Sequence, residues 1–303
     1  MKEFFKRIHT EKFRWYDEIL LVSIFSFLIT LAGQLLGSIL NGLIFVKIFD
    51  MNTPFNATFF QYFSTIGVWI FGVFIIAILK HRRPILKAIS TKAKGNNIRY
   101  LALGLLIGFG LNFGCAAVAM LHKDIHISFS RFEPLPFLGL LLAVFVQSSS
   151  EELIDRAYVF QTLKKGYRSK WVAIIGNALM FSLMHGFNPG VTTLALANIF
   201  FSGLLFSLFV YFFDSIWCAY GIHTGWNFTQ SILLGLPNSG LVFPYSIFEL
   251  DTATATSTFA YNVEFGIEGT ILSTIVLMLA CLVVYLIGKK RNEEPIDVWN
   301  LNK

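Results

Sequence analysis

Eight stretches of this chain read as candidate bilayer crossings, and that recurrence limits the fold more than any other feature. They lie near residues 18–46, 57–79, 98–121, 137–162, 171–187, 191–212, 216–235 and 265–288. A helix rising 1.5 Å per residue needs about 20 apolar residues to span a hydrocarbon layer of roughly 30 Å. The expected fold is therefore all-α: a polytopic membrane protein with about eight transmembrane helices around a polar intramembrane cavity. The first stretch is over-long for one straight crossing and is expected to tilt or to carry an interfacial piece. With 55% of residues apolar and only 14% charged, no hydrophilic segment is large enough to fold alone. The whole chain, 1–303, is read as a single membrane domain, with a catalytic core at 137–235 and a cytoplasmic tail at 289–303.

The positions of Lys and Arg set the expected orientation, because cytoplasmic loops carry the excess of positive charge. Residues 1–17 hold five, 80–99 seven, 163–170 four and 289–303 four, together 20 of the 24. The opposite loops hold only Lys47, Lys123 and Arg131. Both termini are thus expected in the cytoplasm, and the net charge of +6 records topology, with no sign of nucleic-acid binding. The first apolar run lacks a small-residue cleavage site and reads as a retained anchor. Cys115, Cys218 and Cys281 fall within spans at no metal-like spacing, which argues against a disulfide framework. Gly104, Gly108, Gly110 and Gly114 form overlapping small-residue patterns that admit a close helix neighbour. The outer loop 236–264 has two readings, a mobile cap over a cavity or an ordinary exposed loop, and the second is favoured.

Against this apolar background, the stretch FVQSSSEELIDRAYVFQ is anomalous. It places Glu151, Glu152, Asp155 and Arg156 inside a span, where each ionised group costs at least ~2.5–3.5 kcal/mol near the centre of the bilayer. Glu152 and Arg156 are four apart on one helical face and can pair. Glu151 points about 100° away from Glu152, and Asp155 is its like-charged neighbour one turn on. Two other spans carry polar groups at the same spacing. In FSLMHGFN, Phe181 and His185 share a face with Asn188 one turn further, and in GIHTGWNF, His223 and Asn227 stack one turn apart. Any one of these alone is most simply a hydrogen bond between helices. Three spans contributing such groups together favour a shared polar cavity.

EELIDR, FSLMH and HTGWN, in this order, resemble the signature motifs of the CPBP intramembrane proteases, the family of CAAX prenyl endopeptidase-like and bacterial Abi proteins. The family pattern runs Glu-Glu-x-x-x-Arg, Phe-x-x-x-His and His-x-x-x-Asn, matched here by Glu151, Glu152, Arg156, Phe181, His185, His223 and Asn227. The resemblance covers about 137–235. Two positions depart from it: Asp155, where an apolar residue is usual, and Ala157, where glycine is usual.

The resemblance implies an intramembrane endopeptidase that cleaves a hydrophobic or membrane-bound peptide. Glu151 with His185 would activate a water, and His223 with Asn227 would stabilise the oxyanion. Glu152, Arg156, Phe181 and Asn188 would support them. No cofactor is implied. A zinc alternative would take Glu151, His185 and His223 as ligands, although the His-Glu-x-x-His pattern is absent. Ser148, Ser149 and Ser150 read as small packing residues. The competing functions are a non-catalytic membrane scaffold or bacteriocin-immunity protein, and a proton-coupled transporter, for which internal repeats are the missing sign. The expected location is a bacterial cell membrane.

Overall fold

The computed structural model describes residues 6–291, 293 and 295–300. Helix α1, Ile19–Leu40, continues through a π-helical turn at Asn41–Phe45 to Ile48. Helices α2, Pro54–Phe63, and α3, Ile66–Ile78, return across the molecule. Helix α4 is Ile98–Leu121, and strand β1, Ile127–Phe129, follows it. Helix α5, Pro134–Glu152, passes through a π-helical segment, Leu153–Val159, into α6, Phe160–Gly166. Helices α7, Lys170–Met184, and α8, Thr193–Phe213, come next. Helix α9, Ile216–Asn227, runs into a third π-helical segment, Phe228–Leu233. Strand β2, Phe248–Leu250, and helix α10, Ile271–Arg291, complete the order.

Side chains with the right chemistry mark the helix starts. The Glu18 carboxylate accepts from Leu20 N, Thr53 caps α2 just ahead of Pro54, and Asn97, Thr192 and Ser215 cap α4, α8 and α9. Each satisfies an amide that the first turn leaves without a partner.

Among the described residues, six helical stretches have the length and apolarity to cross a membrane: Ile19–Ile48, Pro54–Ile78, Ile98–Leu121, Pro134–Gly166, Thr193–Phe213 and Ile271–Arg291. Of the eight expected spans, 171–187 and 216–235 do not meet that measure. Both are helical, but α7 has only 15 residues, a length of about 22 Å. The helix through α9 is diluted by His223, Asn227 and Gln230. The two elements that fall short carry the polar motifs.

Apolar side chains face outward along the spans. Leu20, Ile24, Leu28, Leu31 and Leu35 of α1 are exposed, a stripe at helical spacing that suits lipid. Asn112, Asn177, Gln230 and Arg156 are buried. This inversion, with six apolar helices, makes the chain a multi-pass membrane protein.

Close backbone approach holds α4 against α9. A Cβ on Gly104 would lie 2.3 Å from the Cys218 carbonyl oxygen, and one on Gly108 would lie 2.0 Å from that of Ile222. Gly110 and Gly114 have nothing within 4 Å, so only half of the small-residue pattern makes the contact. The three cysteines are buried and free.

The basic loops assemble at one end. Buried Asp17 receives Arg82 at 2.8 Å and Lys165 at 2.7 Å. The tail joins them: Lys12 pairs with Asp297 at 2.6 Å, and Ile296 N donates to Asp214 Oδ1 at 2.8 Å. At the other end β1 pairs antiparallel with β2, Ile127 opposite Leu250. The segment 236–264 is therefore anchored, with Tyr261 fully buried, which corrects its description as an ordinary exposed loop.

Candidate active site

Glu151, His185, His223 and Asn227 line one cavity of about 320 Å³, together with Asp155, Phe181 and Asn188. They arrive from the C-terminal end of α5, the C-terminal end of α7 and the last turns of α9. The short α7 stops at Met184, and its final turn delivers His185 to the cavity.

Hydrogen bonds orient each group. His185 Nδ1 lies 2.8 Å from the Phe181 carbonyl oxygen. A carbonyl only accepts, so Nδ1 carries a proton, and in the neutral ring Nε2 presents its lone pair. That Nε2 is 3.9 Å from Glu151 Oε2. His223 Nδ1 lies 2.9 Å from Glu152 Oε1, and its Nε2 is 3.8 Å from the same Glu151 Oε2. Two imidazole nitrogens on separate helices thus converge on one carboxylate oxygen. Oε2 is buried and has no hydrogen-bond partner among the described residues.

The other oxygen, Oε1, accepts from Gln147 Nε2 at 2.6 Å. Gln147 Oε1 in turn accepts from Asn227 Nδ2 at 3.0 Å. Gln147 therefore links the α5 carboxylate to the α9 amide. No motif pointed to Gln147, although its amide sits one turn before Glu151 in an apolar run, the spacing at which helical side chains touch. The serines beside it do more than pack: Ser148 Oγ receives Asn227 Nδ2 at 3.4 Å, and Ser149 Oγ receives Trp69 Nε1 at 3.0 Å.

Behind the cavity, Arg156 and Glu152 form the expected pair at 3.1 Å, both completely buried. Arg156 also donates to the Gly203 carbonyl at 3.2 Å, and its guanidinium lies 4.3 Å from the centre of the Phe181 ring. Phe181 thereby supports the arginine with its ring and His185 with its carbonyl. Asp155 is buried 4.0 Å from Arg156, too far for a hydrogen bond. Its backbone carbonyl, in the π-helical segment, accepts from Asn177 Nδ2 at 2.8 Å.

Asn188 also lines the cavity but acts on its rim, donating to the Ser239 carbonyl at 3.2 Å. A further carboxylate in the lining, Glu268, was not singled out by any motif. It accepts from Trp226 Nε1 at 3.1 Å and from Ser239 N and Oγ, both at 2.7 Å. Across the rim, a Cβ on Gly240 would lie 2.0 Å from the Pro189 carbonyl oxygen, at a φ of +83°. Glycine suits both the conformation and the contact.

The donor set raises the question of a metal. The closest nitrogen-to-oxygen separations among Glu151, His185 and His223 are 3.8 and 3.9 Å, whereas ligands about 2.0–2.1 Å from tetrahedral zinc lie roughly 3.4 Å apart. Among the described residues, no group of three His, Cys, Asp or Glu side chains is arranged to hold a metal ion.

Comparison with known families bears on the same helices. Residues 133–229 match the Rce1-like family model. The model is described as type II CAAX prenyl endopeptidase Rce1-like, and it corresponds to the family that the motifs resemble. No curated protein matches the chain. The Rce1-like segment runs from α5 to the turn after α9 and contains Gln147, Glu151, Glu152, Arg156, His185, His223 and Asn227. It leaves out α1 to α4, α10 and Glu268.

Proposed function

We propose that the chain is an intramembrane endopeptidase that hydrolyses a peptide bond in a hydrophobic or membrane-associated substrate. The observation that carries this reading is the convergence of His185 Nε2 and His223 Nε2 on Glu151 Oε2. A water held there donates to the carboxylate or to an imidazole lone pair and keeps an oxygen lone pair for the substrate carbonyl. Gln147 occupies Oε1 and leaves Oε2 for this work. Attack forms the carbon–oxygen bond as a water proton passes to Glu151 or His185 and the carbonyl π pair moves onto its oxygen; the carbonyl then re-forms as the carbon–nitrogen bond breaks, and the same group returns the proton to the leaving amine.

The oxyanion role of His223 and Asn227 carries a condition. With Nδ1 donating to Glu152, His223 can donate from Nε2 only when it carries a second proton. Asn227 Nδ2 would exchange its bond to Gln147 for one to the oxyanion. The Glu152–Arg156 pair, on its Phe181 support, holds His223 in place. The location proposed is a bacterial cell membrane with both termini cytoplasmic, since the basic loops gather at one end.

The test is cleavage by purified protein of membrane-embedded peptide libraries, comparing wild type with Glu151→Gln and His185→Ala. Loss of products in both variants is expected; full cleavage by either removes the mechanism. Turnover lost on chelation and restored only by stoichiometric zinc would replace it with the metal mechanism. Absence of products with wild type across the libraries would favour the scaffold or immunity role.

A further inference from the structure

The cavity extends well beyond the catalytic groups, and its far wall lies outside the Rce1-like segment. Among its lining residues Gln34 of α1, Gln61 of α2 and Leu241 of the 236–264 loop are exposed, so the cavity reaches the surface between them. Both glutamines sit in stretches otherwise suited to lipid, with mean hydropathies of 2.3 and 1.8. Neither amide has a hydrogen-bond partner among the described residues. One turn before Gln34, Thr30 also lines the cavity, and its Oγ1 is buried without a partner. Unpaired polar groups in hydrocarbon carry a penalty, and two amides and one hydroxyl of this kind line one cavity.

The rim at Ser239 and Gly240 is tied down. Asn188 and Glu268 both hold Ser239, and Gly240 lies against Pro189. Access therefore runs past α1 and α2, from the side of the molecule.

A ligand that matches this wall must offer both donors and acceptors inside a membrane. A helical segment has spent its backbone groups on itself, but an extended segment has them free. Building on the endopeptidase reading, we propose that Thr30, Gln34 and Gln61 form a ledge that binds the backbone of an extended apolar peptide entering laterally between α1 and α2 on its way to Glu151. Primary amides each supply a donor and an acceptor, the pairing that a peptide unit needs. The ledge selects substrates by their ability to unwind, and places few demands on side-chain identity.

The experiment measures binding in the turnover-blocked Glu151→Gln protein, full-length and in lipid nanodiscs. The probes are two fluorescent apolar peptides of about 20 residues, one interrupted by Gly-Pro near its centre and one uniformly helical. The interrupted peptide is expected to bind at least tenfold more tightly. Adding Gln34→Leu and Gln61→Leu should weaken it at least tenfold and leave the helical peptide unchanged. Melting of each variant, followed by thiol labelling of the buried cysteines, checks folding, and Gln34→Ala with Gln61→Ala serves if the leucine pair misfolds. Equal binding of the two peptides, or an affinity indifferent to both glutamines, overturns the ledge. Cleavage of the interrupted peptide by wild type is scored separately. Turnover with glutamine-independent binding leaves the endopeptidase standing without the ledge, and glutamine-dependent binding without turnover leaves the ledge standing without the enzyme.

Discussion

Replacing Arg156 by Met removes the charge and keeps much of the volume. The change strips Glu152 of its 3.1 Å partner and the Gly203 carbonyl of its donor. It also removes a cation 4.3 Å from the Phe181 ring and 5.0 Å from that of Phe206. Both Glu152 and Arg156 are fully buried, so the lone carboxylate is left in a low-dielectric site, for which a broken buried pair costs about 3–5 kcal/mol. At roughly 2–4 °C per kcal/mol for a large domain, Arg156→Met should melt about 6–20 °C below wild type. The assay is already present in the chain, since Cys115, Cys218 and Cys281 are buried and free and react with a thiol dye only as the protein opens. Adding Glu152→Gln removes the stranded charge while keeping an acceptor for His223 Nδ1, and should recover more than half of the loss. A single variant melting within about 2 °C of wild type, or a double variant no better than the single, would refute the reasoning.

Three further expectations follow from contacts elsewhere. Gln147→Leu frees Glu151 Oε1 and releases Asn227, so turnover should fall by up to about 100-fold through misplacement, with melting little changed; wild-type kcat would contradict the linking role. Gly108→Val drives a side chain into the Ile222 carbonyl and should cost at least about 1–3 kcal/mol by overpacking, while Gly110→Ala, facing open space, should melt as wild type. Asp17→Asn weakens the buried site that joins Arg82 and Lys165; melting should drop by an amount comparable to Arg156→Met while cleavage at low temperature persists.

The helical class and the Glu152–Arg156 pair were legible because each rests on local spacing, whereas the meeting of Glu151 with His185 and His223, on three separate helices, was expected only from the three polar motifs taken together and from the family they resemble. Residues four apart on a helix share a face whatever the neighbours are. The π-helical segments at 153–159 and 228–233 left no such trace. They widen the turn around Asp155 and past Asn227, beside the cavity, where such irregularities collect. Gln147 lay outside every motif; its bond to Glu151 follows helical spacing, but its link to Asn227 forms only once α9 is in place. Glu268 and the two exposed glutamines depend wholly on tertiary packing, because they come from helices and loops distant in the chain. Two of the eight expected spans fall short in length or apolarity where the site lies: α7 ends early to present His185, and α9 gives up apolar surface to carry His223 and Asn227. The tail and the 236–264 loop looked free because their partners, Asp214 and β1, lie far away in sequence.

Cross-linking in native membranes tests the central claim most directly. In a variant whose three native cysteines are replaced by serine, Glu151→Cys is combined in turn with His185→Cys, His223→Cys and Gly110→Cys and treated with a short bifunctional thiol reagent. The first two pairs should cross-link and the third should not. Failure of both the 151–185 and 151–223 pairs, in protein that still melts cooperatively, would mean that these side chains do not share a cavity and that no hydrolytic centre forms there.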